Sequence, residues 1–197
     1  MISKAQKFIY VEDQYLVSMD ISNSLKAALP NIQKLIILIC PTGSVNNELF
    51  QTDSRRKAFL DNIGTFNTPG GKLFVSTSNV FIHAKVVIVD DKAAVVGSAN
   101  NNRRGYTHDS EQAVTIFDVN KSKKWFWPHE LRMNLWKKHL GGKPIDYVDP
   151  IASAVHWETA RGSALPFVPD PKNDLPSPSM LINNNDFWDL IIDPDGS

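Results

Sequence analysis

The sequence predicts an α/β fold, a mixed β-sheet flanked by helices on both faces, followed by a proline-rich C-terminal tail. Three observations carry this. Short β-branched runs alternate with longer amphipathic segments up to residue 76, the strand-helix-strand order of parallel pairing through crossovers. From Val80 onward, apolar runs follow one another with short polar turns between them, the order of antiparallel pairing. The chain has 197 residues and 42% hydrophobic content, enough to bury one full core.

The elements follow in order. Residues 7–15, rich in aromatic and β-branched side chains, form the first strand. It starts within a few residues of Met1, as expected of a segment cut from a longer chain. Asp20 is the expected N-cap of a helix reaching Leu29 and stopped by Pro30. Residues 34–40 read as a buried strand whose last residue, Cys40, is a small hydrophobe rather than a nucleophile. Residues 45–63 are mostly helix, closed by Gly64. The turn Pro69-Gly70-Gly71 leads into a strand over 72–76. The run 80–89 is a strand, Asp90-Asp91-Lys92 a hairpin turn, and 93–96 the return strand. Glu111 opens another strand, to Phe117. Pro128 sits in the first turn of a helix reaching Leu140, with Gly141-Gly142 as its stop. Leu131, Leu135, Trp136 and Leu140 mark its apolar side. Trp125-Phe126-Trp127, just before it, is either core packing or an apolar rim for acyl chains or a second domain.

The composition changes at Gly162. From there to Ser197 stand six prolines, six aspartates and one lysine, a net charge of 1 − 6 = −5. The organisation expected is a domain over 1–161 and a tail over 162–197, anchored through Phe167, Phe187 and Trp188 or recruited by a partner. The whole chain has zero formal net charge, so it lacks the basic field of a non-specific nucleic-acid binder. It has one cysteine, no signal-peptide hydrophobic region at its start, and no apolar run of the roughly 20 residues that span a membrane.

The chemistry concentrates between His83 and Glu111. His83 and Lys85 are two apart on an extended run, so imidazole and ammonium share one face. A neutral imidazole attacks phosphorus, and an ammonium holds a phosphate oxygen. Asp90 follows on the hairpin turn. The return strand delivers Gly97-Ser98-Ala99-Asn100 beside the His-Lys pair. Gly97 permits close approach of a ligand, and Ser98 and Asn100 are neutral donors for phosphate oxygens. A carboxylate at Glu111 on the far nitrogen of His83 would fix its tautomer and stabilise an imidazolium. A lone histidine or lysine on an apolar strand is most often structural. The full set in this order and spacing points to phosphodiester chemistry.

The HxKxxxxD pattern of His83, Lys85 and Asp90, followed by Gly97-Ser98-Ala99-Asn100 and Glu111, resembles the catalytic signature of the phospholipase D superfamily. The stretch from Phe8 to Tyr15 resembles the strand that opens the second half of two-motif phospholipases D. Gln14 and Tyr15 match that pattern and would line the site, and Asp13 stands where Asn is usual. Asp109 to Val114 and Leu131 to Gly141 resemble the segments that follow the second motif, so the similarity spans about residues 5 to 142.

The resemblance implies a catalytic set of His83, Lys85, Asp90 and Glu111, with Gly97, Ser98 and Asn100 on the substrate phosphate. Asp90 would orient structure rather than touch substrate. One motif histidine forms a phosphohistidine. The other, the role carried onto His83, protonates the leaving alcohol and then activates water or an acceptor alcohol. No cofactor or metal is implied, and the five histidines form no ligand cluster with Cys40 or the acids. The family's site needs two motifs and this chain carries one. It is therefore expected to be the C-terminal half of a phospholipase D-like enzyme acting on phospholipids, with peripheral membrane contact. One alternative is a single-motif phosphodiesterase or nuclease that pairs two copies. Another is a non-catalytic half serving assembly or binding. Nucleic acid is the less expected substrate.

Overall fold

The computed structural model describes residues 1–41, 52–118 and 127–168. In chain order the elements are β1 (Phe8–Asp13), α1 (Met19–Ala28), β2 (Lys34–Ile39), α2 (Thr52–Ile63), β3 (Leu73–Ser78), β4 (Val86–Val89), β5 (Ala93–Gly97), α3 (Arg103–Thr107), β6 (Ala113–Phe117), α4 (Trp127–Leu140) and β7 (Ala164–Pro166). The strands form one seven-stranded sheet in the order β6-β5-β4-β1-β2-β3-β7. β1, β2 and β3 are parallel; β4, β5, β6 and β7 pair antiparallel to their neighbours. This is the expected mixed α/β sheet.

Strand alternation divides the core in two. Phe8, Tyr10, Ile36, Leu38 and Ile88 face α4, where Met133, Trp136 and Leu140 pack with Tyr147 and Trp157. Ile9, Val11, Leu35, Ile37 and Val75 face α1 and α2, where Leu25, Phe59 and Leu60 pack. β1, central and buried along its whole length, carries both cores and ends at the site.

Several boundaries differ from expectation. Pairing of the run 80–89 begins only at Val86, because its last partner on β1 is Glu12. His83 and Lys85 therefore precede the strand on an extended, unladdered segment. β6 likewise begins at Ala113, opposite Gly97, and not at Glu111. Ser18, rather than Asp20, is the N-cap of α1; Asp20 lies in the first turn, where its charge favours the helix dipole. Residues 164–166, which composition assigns to the tail, add β7 to the sheet beside β3. Phe167 is buried in the second core, as an anchor should be. Residues 45–51 of the second expected helix, Trp125-Phe126, and the tail from 169 with Phe187 and Trp188 lie outside the described residues. Among the described residues, no helix is long and apolar enough to cross a membrane.

α4 turns differently from its apolar pattern. Leu131 and Leu135 are only partly buried, whereas Arg132 and His139 are buried. Each has an anionic partner under the sheet. Arg132 grips Asp91 through two bonds of 2.7 and 2.9 Å, and His139 lies 3.2 Å from Glu12.

Candidate active site

The end of β1, the segment before β4 and the loop after β5 converge at one end of the sheet's central strands. Lys85 is buried, and its ammonium donates to Gln14 Oε1 at 3.0 Å and to the carbonyl of His83 at 2.9 Å. An ammonium carries three donors. One therefore remains for a substrate oxygen. Burial pushes the Lys85 pKa down, and the nearby Asp13, Cys40 and Glu111 push it back up. His83 is exposed, with its ring stacked on Phe81 at a centroid separation of 6.2 Å. Among the described residues its imidazole makes no hydrogen bond.

Beneath this pair lies a polar frame that the sequence reading did not resolve. Asp13 is completely buried. Its Oδ1 accepts the backbone N–H groups of Tyr15 and Leu16, each at 2.8 Å. Its Oδ2 accepts the backbone N–H of Asn101 at 2.9 Å and the Asn101 amide at 2.8 Å. Burial raises the Asp13 pKa, and the backbone N–H bonds and Lys85 oppose the rise. Asn101 in turn accepts at its carbonyl from Val17 and Ser18, and at Oδ1 from the Tyr106 hydroxyl. Buried Arg56 closes the frame from α2 by donating to the carbonyls of Gln14, Tyr15 and Cys40. Gln14 thus touches Lys85 as expected of a lining residue. Tyr15 packs, half-buried, against the core on the α4 face. Cys40 is a buried thiol donating to the Ile82 carbonyl at 2.7 Å, in keeping with a packing role.

The loop after β5 is arranged differently from expectation. Ser98 donates its single hydroxyl proton to Glu111 and accepts from the backbone N–H of Gln112 at 3.0 Å. Glu111 therefore pairs with Ser98, not with His83. The cause is Gly97. A Cβ there would lie 2.6 Å from the Gln112 carbonyl oxygen and 2.7 Å from the Ala113 Cβ, so glycine lets the start of β6 press against β5. The space above Gly97 is occupied by the protein's own chain rather than left for a ligand. Asn100 is half-buried, and its Oδ1 is buried without a partner among the described residues.

Asp90 is not brought to this group. It sits at the opposite end of β4, about 16 Å from Lys85 along an extended chain. Its carboxylate accepts the backbone N–H groups of Gln6, Lys7 and Phe8 at 2.8, 2.8 and 2.9 Å. Asp90 and Asp91 both take left-handed conformations, with φ of 55° and 57°. That tight turn aims one carboxylate at the start of β1 and the other at α4. Among the described residues, no group of three or more His, Cys, Asp or Glu is placed to hold a metal ion.

The sequence profile described as "Cardiolipin synthase, PLD-like domain" matches residues 1–127, more than half of the chain. The chain belongs to the phospholipase D superfamily. Phospholipase D B of Dictyostelium discoideum is 26% identical over an alignment covering 84% of this chain and 18% of that protein. Phospholipase D zeta 1 of Arabidopsis thaliana is 38% identical over 46% of this chain and 10% of its own length. The chain thus spans less than a quarter of the curated relatives it matches. The phosphatidylserine synthase structure from Haemophilus influenzae covers 70% of this chain and 34% of its own, with a TM-score of 0.56 and 18% identity, a likeness of fold.

Proposed function

We propose that this chain supplies one of the two half-sites of a phosphodiester-cleaving enzyme acting on phospholipids. The observation that carries this is the pair itself. An exposed imidazole stands beside a buried ammonium that retains one N–H, at one end of the sheet's central strands. The phospholipase D and cardiolipin synthase relatives favour a phosphatidyl substrate.

The proposed chemistry is phosphoryl transfer through a phosphohistidine. The imidazole of the second half attacks phosphorus, forming a P–N bond while the P–O bond to the leaving alcohol breaks. His83, as imidazolium, gives its proton to the leaving oxygen. Now neutral, His83 takes a proton from water or an acceptor alcohol. That oxygen attacks phosphorus, the P–N bond breaks, and both histidines return to their starting states. Lys85 holds a non-bridging oxygen, which gains charge as the transition state forms. In the resting half-site the Ser98 proton goes to Glu111, so a phosphate oxygen would compete with that carboxylate for it.

The test is reconstitution. The chain alone, the chain at concentrations that drive pairing, and the chain joined to a second HxKxxxxD half are assayed on phosphatidylcholine vesicles and on a soluble chromogenic diester. His83→Ala serves as the blank. Turnover that appears only when a second half is present, together with an acid-labile phosphoryl adduct on histidine, supports the reading. Full turnover by a verified monomer rejects it. Cleavage of DNA alone, weakening steeply as salt rises, would replace the lipid substrate with nucleic acid.

A further inference from the structure

We infer that Asp13 is a positioning residue for the catalytic ammonium, a buried carboxylate that fixes Gln14 on one side and the loop carrying Asn100 on the other. The inference rests on the reading of Lys85 as catalytic.

The first half of the argument is geometric. Asp13 ends β1, and its Oδ1 draws in the backbone N–H groups of Tyr15 and Leu16. This closes a turn around Gln14. Leu16 is held with φ of 54°, a left-handed conformation costly for a residue with a branched side chain, yet it is fully buried. Two N–H bonds to one carboxylate oxygen keep it there. The Gln14 backbone is thereby held, and its Oε1 receives the Lys85 ammonium. The other oxygen of Asp13 takes two donors from Asn101, whose carbonyl ties down Val17 and Ser18. One carboxylate therefore sets the spacing between the Gln14 turn and the loop from Gly97 to Asn100, the two walls beside Lys85.

The second half concerns residue type. All four hydrogen-bond partners of Asp13 are N–H donors. A carboxylate accepts at both oxygens, whereas an amide accepts at only one. Asn is the usual residue here in the pattern this strand resembles, but in this frame it is not equivalent. Either way round, its NH₂ would face two donors and leave buried groups unpaired. The frame in this chain is thus built for a negative charge, and that charge lies beneath Lys85. The groups facing Lys85 are Asp13 and Gln14 from the end of β1, Cys40 after β2, Glu111 before β6, and the His83 carbonyl on its own segment. Asp13 comes first among those that hold the ammonium protonated against burial.

The experiment uses the full chain and two variants, Asp13→Asn and Asn101→Ala. The Lys85 amine is titrated by NMR with 15N-lysine, its signal identified by its loss in Lys85→Ala. Turnover against pH is measured on the same proteins joined to a second half. In Asp13→Asn, the Lys85 titration should move to lower pH and the alkaline limb of kcat should move with it. Turnover at neutral pH should fall at least about tenfold, the loss of a positioned contact of roughly 1.4 kcal/mol. Asn101→Ala keeps the charge, so the titration should stay in place while kcat falls more than about threefold with KM little changed. An unmoved Lys85 titration in a folded Asp13→Asn chain overturns the inference. If Asp13→Asn does not fold, Asn101→Ala decides, and a kcat within twofold of the native value overturns it. Should no assembly turn over any diester, the half-site reading fails, while the titration still judges Asp13.

Discussion

The two ends of the β4-β5 hairpin carry the same motif and do opposite work. At the turn end, both carboxylates are tied to neighbouring elements. Asp90 caps three backbone N–H groups at the start of β1. Asp91 receives two bonds from fully buried Arg132 and one contact of 2.7 Å with His129. At the open end, Lys85 retains an N–H, His83 and Ser98 are exposed, and β6 is exposed along most of its length. A four-residue strand separates the two ends. The contrast shows how a short motif divides its labour. The aspartate locks the hairpin to the domain, so the histidine and lysine at the other end are delivered on a fixed support without being enclosed.

This comparison can be broken at either end. The largest effect is expected at the open end, where His83→Ala should lower turnover of the assembled enzyme roughly 10²–10⁴-fold. Thermal unfolding should be unchanged, because the imidazole is exposed and unbonded among the described residues. The same end should show a pH signature. In the proposed role Lys85 acts as an ammonium, and burial lowers its pKa, so activity should be lost on raising pH at values below the ordinary lysine 10.5. A pH-rate profile with its alkaline limb at or above 10.5 would contradict this.

At the turn end, the effects should fall on stability instead. Arg132→Ala strips a buried carboxylate of its bidentate partner and should cost about 3–5 kcal/mol in denaturant unfolding. Turnover per folded molecule should be retained. Asp90→Ala removes a three-bond cap and should cost about 1–2 kcal/mol, again with turnover retained. A selective loss of turnover in folded Asp90→Ala would mean that the motif aspartate serves chemistry directly. The smallest effect is expected for Glu111→Gln. It preserves an acceptor for Ser98 but gives up the charge, a difference of about 1 kcal/mol or roughly fivefold in kcat.

Local pattern was enough to read much of this fold. β-Branched runs located β1 through β5, and glycines with positive φ mark the ends of α2 and α4, at Gly64 and Gly141, as expected. The placing of His83 and Lys85 together was also legible, because it follows from spacing on an extended chain, whereas the contact of Lys85 with Gln14 spans 71 positions. The rest depends on partners remote in sequence. Asp13 meets Asn101 across 88 positions, and Arg132 meets Asp91 across 41. Neither pairing leaves a periodic trace. Arg132 and His139 look like the polar side of α4 until Asp91 and Glu12 are seen beneath it. The pairing of Glu111 with Ser98 is likewise hidden from local pattern, because the crowding at Gly97 that brings them together is packing between strands. The short β7 and the five-residue α3 are too small to announce themselves.

One feature of the sheet bears on how the protein must be handled. β6 closes one side of the sheet and, among the described residues, has no strand beyond it. Val114 and Phe117 are exposed on opposite faces of it, with no lysine or proline between Ala113 and Phe117 to blunt the strand. Such a margin is a ready template for another strand. Among the described residues, this strand presents both a ladder of unmet backbone groups and apolar side chains. Colloidal stability therefore becomes a property of this one strand, and a single lysine at Thr115 is the economical way to separate faithful pairing from edge-to-edge aggregation.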